Sequence, residues 1–138
     1  MTDLNAAIGL AQFRKLATIL KKRAELAEYY NKNLLGINSI KLPYMAPHNK
    51  HAWFLYAILV DNAENVEKYC KCKGVELRRS WPLPIHRQPV YRSIIGGSYP
   101  VAEDITRRIL NLPMYFTMTR DEQDYVIKHL KDALNKSE

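Results

Sequence analysis

The sequence predicts an α+β fold, a small and mainly antiparallel sheet with helices packed on it, preceded by one long N-terminal helix. Three observations carry this. Apolar residues recur at helical spacing through residues 3–35, residues 51–60 are apolar on both faces if extended, and strand and helix signals then alternate with links of mixed length. Mixed link lengths speak for antiparallel pairing, because uniform helical crossovers would be needed to keep every strand parallel.

The first element reads as a single amphipathic helix over 3–35. Leu4, Ile8, Ala11, Leu16, Ile19, Leu20, Ala27, Tyr30 and Leu34 share a face, Thr2 or Asp3 can cap the start, and Gly36 supplies a left-handed residue past the end. About thirty residues at 1.5 Å each give a rod of about 45 Å, longer than a domain of this size needs. Part of it is expected to pack on something outside the chain. Residues 1–36 are therefore read as a connecting helix and 37–138 as a small α+β domain.

Residues 37–42 form a short predicted strand ended by Pro43, and 51–60 form the strongest one. There Trp53, Leu55, Ala57 and Leu59 alternate with Phe54, Tyr56, Ile58 and Val60, so the strand is expected at the centre of the sheet with cover on both faces. Asp61 and Asn62 cap the next helix, with Glu64 in its first turn and Lys68, Lys71 and Lys73 at its end, an order that follows the macrodipole. Val75, Leu77 and Arg79 then alternate as a strand. Pro100 opens a helix with Val101, Ile105 and Ile109 on its inner face, residues 110–115 are extended, and the Thr119-Arg120-Asp121-Glu122 capping box starts a last helix striped by Tyr125, Val126, Leu130, Ala133 and Leu134.

Composition narrows the function classes. An apolar share of 47% with 25% charged residues fits a soluble globular domain, no apolar run reaches membrane-spanning length, and no signal peptide pattern opens the chain, so a cytoplasmic location without membrane contact is expected. Cys70 and Cys72 are two apart on a predicted helix and face nearly opposite ways, a poor arrangement for a shared metal or a disulfide. The net charge of +7 is spread in short groups, so a nucleic-acid partner is the alternative that it supports least.

Chemistry concentrates in residues 74–92. Pro82, Pro84 and Pro89 forbid regular structure and stiffen the loop, which presents Arg78, His86, Arg87, Gln88, Tyr91 and Arg92, groups suited to phosphate, hydroxyl or carboxylate partners. A proline-rich surface connection is the plain alternative. No phosphate loop, GxSxG, HExxH or cysteine–histidine pair stands elsewhere. His48 and His51 fall in or beside a loop, and His129 falls at the edge of the last helix's stripe.

The opening Met-Thr-Asp-Leu-Asn-Ala-Ala-Ile-Gly-Leu-Ala-Gln, the Pro-Leu-Pro-Ile-His-Arg-Gln-Pro-Val-Tyr loop, Leu-Pro-Met-Tyr at 112–115 and Asp-Glu-Gln-Asp-Tyr-Val at 121–126 together resemble the C-terminal part of the DegT/DnrJ/EryC1/StrS aminotransferases. These motifs stand in the family's order over nearly the whole chain. The resemblance implies the small domain of a fold-type I dimer that uses pyridoxal phosphate to aminate nucleotide-linked keto-sugars, with an amino acid such as glutamate as donor. It implies that Arg78, His86 and Tyr91 border the substrate side of the site. Trp81 stands where a tyrosine is expected, and Arg79 and Ser80 replace less polar residues, which bears on sugar specificity.

The family's large domain, with the Schiff-base lysine, would lie before Met1. This chain is then expected to hold no cofactor and to be inactive alone, and to associate with itself or with a large-domain partner. The alternatives are one chain of a split aminotransferase, or a small basic module that binds nucleotides or nucleic acid.

Overall fold

The computed structural model describes residues 1–136. Two helices, α1 (Asp3–Phe13) and α2 (Leu16–Leu34), lead into strands β1 (Ile40–Lys41) and β2 (Tyr56–Val60), then α3 (Ala63–Cys72), α4 (Pro100–Arg108), β3 (Ile109–Leu112) and α5 (Arg120–Asn135). The sheet is antiparallel in the order β1-β2-β3, with Ile40 opposite Val60 and Ile58 opposite Leu110. The expected central strand is central.

One face of the sheet carries the core. Tyr56, Ile58 and Val60 are fully buried in a single cluster with Leu26, Tyr30 and Leu34 of α2, Val66 and Cys70 of α3, and Val126, Leu130 and Ala133 of α5. At roughly 25 cal/mol per Å² of apolar surface, this cluster is the main source of stability. Three polar side chains in and beside it are paired. Tyr30 donates to the Pro113 carbonyl at 2.8 Å, Tyr56 donates to Asn31 Oδ1 at 2.7 Å, and the buried Gln123 amide donates to the Leu26 carbonyl at 2.7 Å. Burial alone pushes the Cys70 thiol up to about 11, while Cys72 is exposed, as the i, i+2 spacing requires.

Four expectations need correction. The single helix over 3–35 is two helices, because the Lys15 amide turns to the Gln12 carbonyl three residues back and the ladder restarts at Lys15, whose carbonyl accepts from Ile19. The strand over 51–60 is ordered as a strand only from Tyr56. Trp53 adopts a left-handed φ of 50°, its amide donates to His51 Nδ1, and Arg23 takes the Trp53 and Phe54 carbonyls at 2.9 and 3.0 Å, which removes that stretch from any ladder. The strand read at 75–79 makes only one bridge, Arg78 with Asn111, although its burial does alternate with Val75 and Leu77 inside.

The fourth correction concerns α4. No residue of it is buried; Val101 is 72% exposed and Ile105 41%, because this helix lies against β2 and the 81–99 loop rather than entering the core. Likewise α1 contributes no buried residue, and Leu4, Ile8, Leu10 and Phe13 all face outward. In α5, Tyr125 stays half exposed while Gln123, Ile127 and His129 join the buried stripe. Both halves of the predicted capping box form: Thr119 Oγ1 accepts from the Glu122 amide and Glu122 accepts from the Thr119 amide. Gly36, at φ 84°, ends α2 as expected.

Candidate functional site

The proline-rich loop is ordered by short local turns. A single 3-10 turn at Ile85–Arg87 follows Pro84, the Gln88 carbonyl accepts from the Tyr91 and Arg92 amides, and the Tyr91 carbonyl accepts from Ile94 and Ile95. The loop is then fastened to α4 by side chains. Glu103, in the first turns of α4, pairs with His86 Nε2 through one oxygen at 2.9 Å and accepts from Arg87 on the other at 2.8 Å, and the Tyr99 amide reaches the first oxygen at 3.5 Å. The hydrogen bond with His86, ahead of the Arg87 charge, holds the Glu103 carboxyl below its ordinary range.

His86 is boxed in. Its side chain is 9% exposed and its ring lies 4.8 Å from that of Tyr99. The far end of α4 is also tied down: Arg79 donates to the Thr106 and Arg107 carbonyls at 3.3 and 3.2 Å, a cation at the negative end of the helix, and Arg108 bridges Asp104 and Asp61.

Between loop and helix lies a cavity of about 780 Å³ lined by Trp81, His86, Gln88, Tyr91, Tyr99 and Ile105 among others. Aromatic walls with a few fixed polar groups are the make-up of a small-molecule site. The structure thus brings together His86 and Tyr91 of the expected site residues. It does not bring Arg78 to them. Arg78 is 80% exposed, sits 3.8 Å from Glu76, and lines a second cavity of about 880 Å³ with Tyr115, Asp121, Glu122 and Tyr125, across the extended segment from the loop.

Two features escaped the sequence reading. Glu103 was one carboxylate among several in a helix; a glutamate three residues after the proline that opens the helix, following a loop rich in cations, is the signal that could have marked it. Trp81 is the other. It is 75% exposed with φ at 57°, a backbone state that costs a non-glycine residue roughly 1–3 kcal/mol and collects at functional sites.

Compared with known proteins, residues 1–131 match the model of the DegT/DnrJ/EryC1/StrS aminotransferase family. The chain belongs to this family. It is 30% identical to the erythromycin biosynthesis sensory transduction protein EryC1 of Saccharopolyspora erythraea over 95% of this chain and 36% of that protein. It is 29% identical to the GDP-perosamine synthase of Escherichia coli O157:H7, over 96% of this chain and 36% of the other. Among solved structures, DesV of S. venezuelae superposes with a TM-score of 0.88 at 26% identity, covering 92% of this chain and 35% of that one. The fold is that of a DegT-family aminotransferase region, and the chain spans 34–38% of the length of the curated relatives that it matches.

Neither the cavity at His86 nor the one at Arg78 is lined by a lysine, the residue through which an aldehyde cofactor such as pyridoxal phosphate is held. No group of three or more metal-ligating side chains and no helix long and apolar enough to cross a membrane occurs among the described residues.

Proposed function

We propose that this chain is the C-terminal, substrate-facing domain of a pyridoxal-phosphate-dependent nucleotide-sugar aminotransferase, which moves an amino group from an amino acid such as glutamate to a keto-sugar carried on a nucleotide. The observation that carries the reading is the family membership over residues 1–131, joined to a rigid, aromatic cavity holding His86 and Tyr91. Curated relatives are named as transaminases of dTDP-linked amino sugars and as a GDP-perosamine synthase, which supports the substrate class. In this reading residues 1–36 connect to the rest of the enzyme and residues 37–138 form the small domain. The lysine that holds the cofactor belongs to the part of a relative's length that this chain does not span. The cofactor, when bound, supplies the electron sink for amino transfer.

The roles left to this chain are binding and orientation. His86 and Tyr91 meet the sugar, Trp81 gives a flat apolar surface beside them, and Arg78 serves the negatively charged part of a ligand from the neighbouring cavity. A cytoplasmic, dimeric enzyme is the natural setting. The outward apolar residues of α1, from Leu4 to Phe13, support a second reading of the assembly, in which a separate large-domain chain or a second copy covers them.

Saturation-transfer NMR with dTDP-glucose tests the substrate reading on the chain itself. Transfer to the sugar protons that is lost in His86→Ala and Tyr91→Ala is expected. Absence of transfer to dTDP-glucose and to GDP-mannose alike overturns it. A borohydride-stable adduct of pyridoxal phosphate at one lysine of this chain would overturn the assignment of the cofactor lysine to another segment.

A further inference from the structure

The ring of His86 has two nitrogens, and the structure spends one of them. Nε2 faces Glu103 Oε1 at 2.9 Å, while Nδ1 meets no hydrogen-bond partner among the described residues. Glu103 cannot be the donor in that pair. Its second oxygen already accepts from Arg87 at 2.8 Å and its first is also approached by the Tyr99 amide at 3.5 Å, so two donors besides the ring converge on one carboxylate, which is the arrangement of an ionised acceptor. A neutral imidazole that donates through Nε2 has no proton left on Nδ1. The ring plane is held too, between the Glu103 hydrogen bond and the ring of Tyr99 at 4.8 Å, and the ring forms part of the cavity wall.

We propose that Glu103 is a positioning residue that fixes His86 as the Nε2–H tautomer, so that the ring meets the cavity's occupant as an acceptor through Nδ1. This rests on the substrate reading above and sharpens it. An acceptor nitrogen pairs with a hydroxyl, which can donate, and not with an ionised phosphate oxygen, which cannot. His86 therefore reads the sugar of a sugar nucleotide and leaves the diphosphate to a cation elsewhere.

The chain labelled with nitrogen-15 in its histidines gives the test. At mildly alkaline pH, multiple-bond proton–nitrogen correlation distinguishes the tautomers, and His86 is expected as the Nε2–H form. Glu103→Ala should turn this into a tautomer mixture, whereas Glu103→Gln, whose amide oxygen can still accept, should keep the Nε2–H pattern. An Nδ1–H ring, a doubly protonated ring, or an unchanged pattern in Glu103→Ala overturns the proposal. Because a free neutral imidazole already favours the Nε2–H form, the loss of its exclusive population on removing the acid carries the test, and Glu103→Leu serves where the alanine variant fails to fold. A second arm adds dTDP and dTDP-glucose in turn. His86 ring signals that respond only to the sugar-bearing compound support the hydroxyl assignment, and equal responses to both overturn it. An Nε2–H ring that responds to neither overturns the substrate reading of the cavity while leaving Glu103's hold on the ring intact, so the two failures are told apart.

Discussion

Tyr30 of α2 and Tyr56 of β2 lie ring to ring, 4.9 Å between centroids and tilted by 35°, with each hydroxyl satisfied by a different element. The pair joins a helix to the central strand at the deepest point of the core.

Tyr30→Phe keeps the ring and strips the hydrogen bond, leaving the Pro113 carbonyl short of a donor. A loss of about 1–2 kcal/mol is expected in urea unfolding. Tyr30→Ala adds a cavity and should cost about 3–5 kcal/mol.

Burial raises the ionisation of both phenols well above the ordinary value, and raises that of the Cys70 thiol to about 11. The folded state thus keeps these protons longer than the unfolded chain does. Below the unfolded pKa values, about 8.5 for the thiol and 10 for the phenols, this stability is complete. It falls as pH rises beyond them, so the urea midpoint should stay flat from neutrality and then drop into the alkaline range. A midpoint that rose there would refute the assignment.

Thr119→Ala opens the capping box at the start of α5. A cost of about 1 kcal/mol is expected by denaturant titration, with the fold otherwise kept, since the helix's inner stripe is untouched.

Trp81→Gly separates stability from binding. Glycine accepts the left-handed backbone at this position without strain, so thermal stability should rise by up to about 1 kcal/mol. The same change removes a wall of the cavity, and saturation transfer from the chain to dTDP-glucose should fall. A variant that lost stability as well would show that the indole ring itself holds the loop together.

Phe13→Asp places a charge on the outward apolar side of α1, where no residue is buried. Stability of the domain should change by less than about 0.5 kcal/mol, while sedimentation velocity should show weaker self-association than the unaltered chain.

The elements legible from the sequence were those set by local chemistry. The α5 start follows from Thr119 and Glu122 three residues apart, the α4 start from Pro100, and the end of α2 from Gly36. The core face of β2 was legible as a long apolar run, but its true start was not, because the Trp53 amide turns back on His51 and the Arg23 hydrogen bonds that hold this stretch reach across some thirty residues of chain. The break after Phe13 carries neither glycine nor proline, and Arg14 and Lys15 are good helix formers, so nothing local announces it. The candidate site divided in the same way. The proline loop and His86 stood out by residue type, whereas Glu103 became visible only when a carboxylate seventeen positions away closed on the ring. Arg78 was close in sequence and still proved to face a different cavity, since one extended residue turns a side chain to the opposite side.

Because one carboxylate of α4 holds both His86 and Arg87, the 81–99 loop is not a free-standing cassette. Transplanted alone onto a relative whose helix lacks that acid, it would arrive without its keystone and lose its shape. The structural unit is the loop together with the helix behind it, and a chimera that exchanges this region should cut before Arg78 and rejoin only within β3.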